Sequence, residues 1–353
     1  MSYHAPTHLL EVLQRLEYEE SLRAGDPRYV ETQEARGSEK TLTRLARKFG
    51  WDPAKDDFFA PNEKHVLFFG HVGCGKSTEL TQMAAELHRP DRYWVVSVRL
   101  LDLIDPTDAR YSDVWLAVAQ ELIAKLQADQ VPIDKTVLSR LERWFSERVL
   151  SNDQVKEFAA DIKTEVEAGT GIPFIGKLLA RFTSTMRTGS THRESLRTVV
   201  RNTYGEFADA LNQLVIDVGD KVRALKKGRD ILFVIDGTDR FPGDDWKRLF
   251  VEDANQLTLV KCIAVYTAPM ALKVRNPRFD LYESLVLPMV KLRDYPDQDK
   301  RREPAYRTLR EVVLRRCHHS LFDTVETLDA LIDYSGGHLR DMLRLLAYAG
   351  IAA

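Results

Sequence analysis

The apolar positions of this chain fall into two rhythms. Short, nearly continuous runs come first: Val66-Leu67-Phe68-Phe69, Ile231-Leu232-Phe233-Val234-Ile235, Cys262-Ile263-Ala264-Val265-Tyr266 and Leu285-Val286-Leu287. Runs of this length without alternation predict parallel strands buried on both faces. Tyr93 to Leu101, rich in β-branched residues, predicts one more strand. Everywhere else the apolar residues recur at helical spacing. Leu9, Leu10, Val12, Leu13 and Leu16 form one stripe, and Leu42, Leu45 and Phe49 another, so residues 1–50 are predicted mostly helical, broken at Gly25-Asp26-Pro27. Leu80, Met83, Ala84 and Leu87 mark a helix after the first strand.

From Asp105 to Lys227 only helices are predicted. Trp115, Val118, Ala119, Leu122 and Leu126 make one face, and Leu138, Leu141, Phe145 and Val149 a second. The longest helix opens at the capping pattern Thr191-x-x-Glu194 and carries Leu196, Val200, Phe207, Leu211, Leu214, Val218 and Val222. Its faces are wider than one sheet needs, and Trp115, Trp144 and Phe145 are expected to anchor a protein interface. A polar linker, Arg293 to Glu303, leads to a helical end with faces at Leu328, Leu331 and Ile332 and at Leu339, Leu343, Leu346 and Ala347. Gly336-Gly337 makes the turn between them. The expected fold is α/β: an N-terminal helical segment (1–50), the first half of a parallel-sheet core (51–104), a helical insert (105–227), the second half of the core (228–292) and a helical lid (293–353).

Composition narrows the setting. The 353 residues carry 51 Lys and Arg against 53 Asp and Glu, a net charge of −2, so no global field draws the chain to nucleic acid or an anionic membrane. Cys74, Cys262 and Cys317 are far apart and two of them sit in a loop and a strand, which points to a reducing compartment. There is no signal pattern at Met1–Pro6 and no apolar stretch near the ~20 residues that span a bilayer, so a cytoplasmic protein is expected.

The first strand runs into Gly70-His71-Val72-Gly73-Cys74-Gly75-Lys76-Ser77-Thr78. Strand, Gly-x-x-x-x-Gly-Lys-Ser and helix in that order form the phosphate-binding P-loop pattern. Glycines at 70, 73 and 75 let backbone N–H groups close around phosphate oxygens, with the positive end of the next helix behind them. Lys76 is expected between the β- and γ-phosphates, with Ser77 on Mg²⁺. Gly70, Gly73, Cys74, Gly75, Lys76, Ser77 and Thr78 are therefore the candidate ATP-binding residues. The strand at 231–235 ends in Asp236-Gly237-Thr238-Asp239-Arg240. Asp236 is placed to hold Mg²⁺, and Asp239 either orients the attacking water or caps the turn. Arg340, opening the last helix, either reaches a γ-phosphate or pairs with Asp341.

Asp-Gly-Thr-Asp-Arg resembles the second acidic motif of STAND and KAP-type P-loop ATPases, relatives of the AAA+ group. The resemblance spans roughly 30–104 and 228–353. It implies an ASCE-like core in which Thr267 is the sensor-1 residue, Ser335-Gly336-Gly337-His338-Leu339-Arg340 is similar to the sensor-2 motif of the lid, and Arg36-Gly37-Ser38-Glu39 to the segment lining the adenine pocket. It implies ATP and Mg²⁺ as ligands and a homo-oligomer in which Arg240, Arg275 or Arg278 serves as a finger. Most AAA+ enzymes follow the strand-end acid with glutamate; here Gly237 follows Asp236, which implies slow or conditional hydrolysis and a switch or assembly platform rather than an unfoldase. STAND-type proteins imply bacterial defence or regulatory signalling. No effector segment follows the lid, so the protein partner is expected on a separate polypeptide. Two other readings stay open: a DNA-loading or transposition-regulator ATPase using Arg301, Arg302, Arg307, Arg310, Arg315 and Arg316, and a scaffold that holds nucleotide without hydrolysis.

Three further signals have plain readings. Cys317-His318-His319 has no second ligand cluster, so zinc is not expected. Gly171 to Leu179 reads as an apolar loop docking on a partner or on the insert. Cys74 is the small residue a tight loop accommodates.

Overall fold

A computed structural model of the chain describes residues 3–37, 41–107, 109–153, 172–188, 193–276, 278–294 and 300–352. Five strands form a parallel sheet in the spatial order Tyr93–Arg99, Asp230–Asp236, Ile263–Pro269, Lys64–Gly70, Glu283–Val286. Every residue of Ile263–Pro269 is buried, as are Ile231 to Ile235 and His65 to Gly70. Their apolar runs lack alternation because both faces of the sheet are covered. Register aligns Arg99 with Asp236, and Ile235 with Tyr266, at the carboxyl ends of adjacent strands.

The chain divides into two compact units. Met1–Lys48, Phe68–Ala85 and Leu285–Ala353 make one, and Phe49–Leu67 with Glu86–Ser284 the other. Residues 1–48, the glycine loop and 285–353 therefore fall in the same unit. Its core joins Val12, Val30 and Ala35 to Val290, Tyr306, Leu309, Ile332, Met342 and Leu346.

Four expectations need correction. Residues 1–50 are not mostly helical: among the described residues only Leu9–Arg15 and Thr41–Lys48 are helices. Asp26 Oδ1 accepts the Arg28 N–H at 2.8 Å, a local side-chain bond that competes with helix around Pro27. The long insert helix is two, Arg193–Asn202 and Tyr204–Ala224. At the break, Thr203 Oγ1 donates back to Val199 O and accepts from Trp144 Nε1. Thr191 of the capping pattern lies outside the described residues.

The segment read as a loop at 171–179 is the start of a helix, Ile172–Thr188. Ile175, Leu178, Leu179 and Phe182 are buried at helical spacing, and Pro173 falls in the first turn, where its missing N–H costs nothing. Gly171 is outside the described residues. The expected interface anchors are core residues: Trp115, Trp144 and Phe145 are 0, 3 and 1% exposed. Trp115 donates to Leu257 O at 2.8 Å and meets Phe233 edge-on, and Trp144 packs on Phe145 and Phe207. The broad apolar faces are consumed by helices packing on helices within this unit.

In the other unit, the lid is three helices, Glu303–Leu314, Val325–Ser335 and Leu339–Ala352. Gly336 and Gly337 have φ of +59° and +83°, and a Cβ at Gly337 would stand 2.3 Å from Val290 O, so only glycine fits this turn. The linker at 293–303 is described at its ends, and 295–299 lie outside. No helix among the described residues is long and apolar enough to cross a membrane.

Candidate functional site

The strand Lys64–Gly70 delivers the glycine loop, and Lys76 opens the helix Lys76–Leu87. Gly73 and Gly75 have φ of +86° and +97°, conformations that favour glycine and let successive N–H groups face one concavity. A Cβ at Gly70 would lie 2.9 Å from Cys74 Sγ and 3.0 Å from Lys76 Cδ. The backbone alone thus forms the floor of the loop. Lys76, 3% exposed, turns its ammonium back over the loop to donate to Gly70 O at 2.8 Å and His71 O at 2.9 Å. Two glycines at positive φ, a helix N-terminus and one ammonium come together here, an arrangement suited to a multiply charged anion. Thr78 Oγ1 accepts the Leu22 N–H at 3.2 Å, so Thr78 is engaged by the N-terminal segment.

Residues far away in sequence hold this loop. Arg36, 1% exposed, donates through Nη2 to Cys74 O at 2.8 Å, through Nη1 to Pro288 O at 2.6 Å and through Nε to Thr32 Oγ1 at 2.8 Å. Glu79, on the loop's own helix, accepts from Thr32 Oγ1 at 2.8 Å and Tyr29 OH at 3.0 Å and stands 3.8 Å from Arg36 Nη2. Burial pushes the Glu79 carboxyl above its ordinary value, with Arg36 the strongest opposing influence. Burial also lowers Arg36, whose ordinary value is so far above neutrality that the guanidinium stays charged. The family resemblance implies Arg36 beside the adenine; in the structure its guanidinium bonds the loop carbonyl of Cys74, Pro288 O and Thr32 Oγ1. Ser38 and Glu39 of that segment lie outside the described residues.

The turn into the last helix reaches the loop at three consecutive residues. His338 Nε2 is 2.7 Å from Val72 O, the Arg340 N–H donates to Gly73 O at 3.2 Å, and Leu339 Cδ1 lies 3.2 Å from where a Gly75 Cβ would be. Arg340 is half-buried, and the alternative pairing with Asp341 does not form: Asp341 is taken by Arg344 and by His338 Nδ1, at 3.0 Å from the latter.

In the second unit, Asp236 ends its strand half-buried, and Gly237 follows at φ +103° with Leu101 where a Cβ would go. Thr267 Oγ1 accepts the Gly237 N–H at 2.9 Å, and Thr238 Oγ1 donates to Thr267 O. Thr267 and Thr238 are fully buried and Asp239 is 8% exposed. The hydroxyl at the end of the adjacent strand therefore fixes the turn that carries both acids. Arg240 is exposed, as is Arg278, and Arg275 pairs with Asp244 at 2.9 Å and lies over Trp246.

Within the first unit, five of the six arginines of the basic stretch are matched by carboxylates, and Arg316 donates to the Arg28 and Val312 carbonyls. Arg301 pairs with Asp329 and Asp333, Arg310 with Asp329 and Glu303, Arg315 with Glu311, Arg307 with Glu34 and Arg302 with Asp294. No cluster of metal-ligating residues occurs among the described residues, and Cys317 is buried, its thiol pushed up to about 12 by desolvation. Sequence reasoning missed Tyr29, Thr32, Glu79 and His338. The one local signal was Glu79, an acid three residues after Lys76 on an otherwise buried helix face.

No protein-family model matches this chain, and no curated protein matches it either.

Proposed function

We propose that this chain binds ATP in the Gly70–Ser77 loop and hydrolyses it slowly, as a nucleotide-dependent switch or assembly platform for a protein partner. One observation carries the reading: a buried strand, two glycines at positive φ, and a lysine whose ammonium curls back over the loop at the start of a helix. That combination suits a polyphosphate, because it pairs inward N–H groups with a point charge at the helix's positive end. On binding, the Lys76 ammonium exchanges the Gly70 and His71 carbonyls for phosphate oxygens. Mg²⁺ supplies charge neutralisation on those oxygens, and Ser77 and Asp236 are the residues assigned to hold it. Asp239, fixed on the Thr267-braced turn, is assigned to orient water.

The sheet, with the Thr267 strand lying between the loop strand and the Asp236 strand, is compatible with an NTPase-like core. The switch role, the separate partner, assembly with sister copies and a place in bacterial defence rest on the family resemblance. A DNA-tracking role is disfavoured by the carboxylates that already pair with the arginines at 301–315.

Phosphate release with Mg²⁺ tests the reaction. Asp236→Asn is expected to keep nucleotide affinity within a few-fold and to lose turnover. Parent-like turnover in that variant would remove Asp236 from the metal.

A further inference from the structure

Three successive carbonyls of the glycine loop each accept a hydrogen bond from outside it. Val72 O takes His338 Nε2, Gly73 O takes the Arg340 N–H, and Cys74 O takes Arg36 Nη2. A peptide unit is planar, so fixing a carbonyl outward fixes the next residue's N–H in the opposite direction. The three clamped units are those whose N–H groups belong to Gly73, Cys74 and Gly75, the centre of the loop. Cys74 N–H itself bonds to His71 O at 3.2 Å, which tightens the turn further.

Two of these struts are poor candidates for adjustment. The Arg340 contact is made by the backbone, and Arg36 is buried in a network with Thr32, Pro288 and Glu79. His338 is different. Its contact is a single side-chain bond. Val72 O can only accept, so Nε2 carries the proton of that bond, while Nδ1 faces Asp341, 3.1 Å from its N–H and 3.0 Å from its Oδ2. The fit is close: a Cβ at Gly73 would stand 2.6 Å from His338 Cε1 and 2.9 Å from Arg340 Cβ.

We infer that His338 is a positioning residue for the phosphate chain: it holds the Val72 carbonyl outward and so pre-aims the Gly73 N–H at the centre of the loop. This rests on the nucleotide reading above. It places the start of the last lid helix as a permanent part of the loop, and it separates two roles within one turn of that helix. His338 shapes the loop for any nucleotide with a β-phosphate, whereas Arg340 is the side chain assigned to tell ATP from ADP. Because the clamp orders groups before binding, its loss lowers affinity without removing a ligand contact.

The test uses the full chain and two variants, His338→Ala and His338→Gln, whose carboxamide restores an N–H donor. Without nucleotide, amide hydrogen exchange across residues 72–76 is expected to speed up in His338→Ala and to return towards the parent in His338→Gln. With ATP and with ADP, calorimetry is expected to show an equal loss of roughly threefold to tenfold in His338→Ala, the range one hydrogen bond represents. Rescue by glutamine and an unchanged ATP-to-ADP ratio are readouts that a merely structural role would not produce. Parent-like exchange in His338→Ala would overturn the clamp, and faster exchange with parent-like affinity would overturn its role in positioning. A parent that binds neither nucleotide would sink the nucleotide reading itself, visible before any variant is compared.

Discussion

The glycine loop and the acidic strand end are stabilised in opposite ways. Gly70 to Ser77 supports itself through the Lys76 ammonium on Gly70 O and His71 O, and its next three carbonyls are held by Arg36 from the N-terminal segment and by His338 and Arg340 from the C-terminal helices. The Asp236-Gly237-Thr238-Asp239 turn is braced by Thr267, at the end of the next strand in the sheet. A loop that presents its backbone to a ligand must borrow its rigidity, and it borrows from wherever the chain returns. A turn at the end of a buried strand obtains rigidity from its neighbour. Changes far away in sequence should therefore disturb the loop and spare the turn.

The largest expected effect is at Arg36. Arg36→Met removes the buttress from Cys74 O and leaves Glu79 buried without its cation, which costs about 3–5 kcal/mol. Chemical denaturation should register that loss, and hydrogen exchange should place the damage at 70–77 while 236–239 stays protected. Adding Glu79→Leu should recover part of the loss. Equal damage at both places would erase the distinction between them.

Acid titration sharpens the contrast, because His65 in one unit and Glu79 in the other are buried with opposite shifts. His65, in the second unit, is pulled down to about 4 by desolvation and bonds Tyr266 through Nδ1 at 3.1 Å. It is neutral in the fold, so the unfolded chain binds the extra proton below pH 6.5. Stability is full above that pH and falls as pH drops towards 4, by about 3 kcal/mol for this one group. Glu79 is raised instead, so its contribution is present at low pH and is lost as pH rises above the ordinary carboxyl value. His65→Phe should flatten the acid limb of a urea-stability profile between pH 6.5 and 4. An unchanged slope would assign acid sensitivity elsewhere.

A smaller and more selective effect is expected at Arg340. If its side chain contacts a γ-phosphate, Arg340→Ala weakens ATP relative to ADP by about tenfold to a hundredfold, the range of one charge-assisted bond. An unchanged ratio in competition titrations would leave the lid with its backbone role alone.

The strands and the glycine loop were legible in the sequence because their signals are local. Continuous apolar runs marked buried parallel strands, and glycine spacing before Lys76 marked the loop. The supports were not legible as such: Arg36 and His338 stood out only within motifs of a family resemblance, and the fold alone brings them to the carbonyls of Cys74 and Val72. The same limit explains Trp115, Trp144 and Phe145. An apolar face is visible in one helix, but what covers it depends on helices such as Tyr204–Ala224, which places Phe207 on Trp144. Thr203 was equally silent, a helix break set by a hydroxyl and its indole partner.

The central claim is that the loop binds ATP, and calorimetric titration of the parent and of Lys76→Ala with ATP and Mg²⁺ tests it most directly. Expected is saturable binding by the parent, competed by ADP, and none by a Lys76→Ala protein whose unfolding transition matches the parent's. Heat of binding that is absent from the parent, or undiminished in the folded variant, would contradict it.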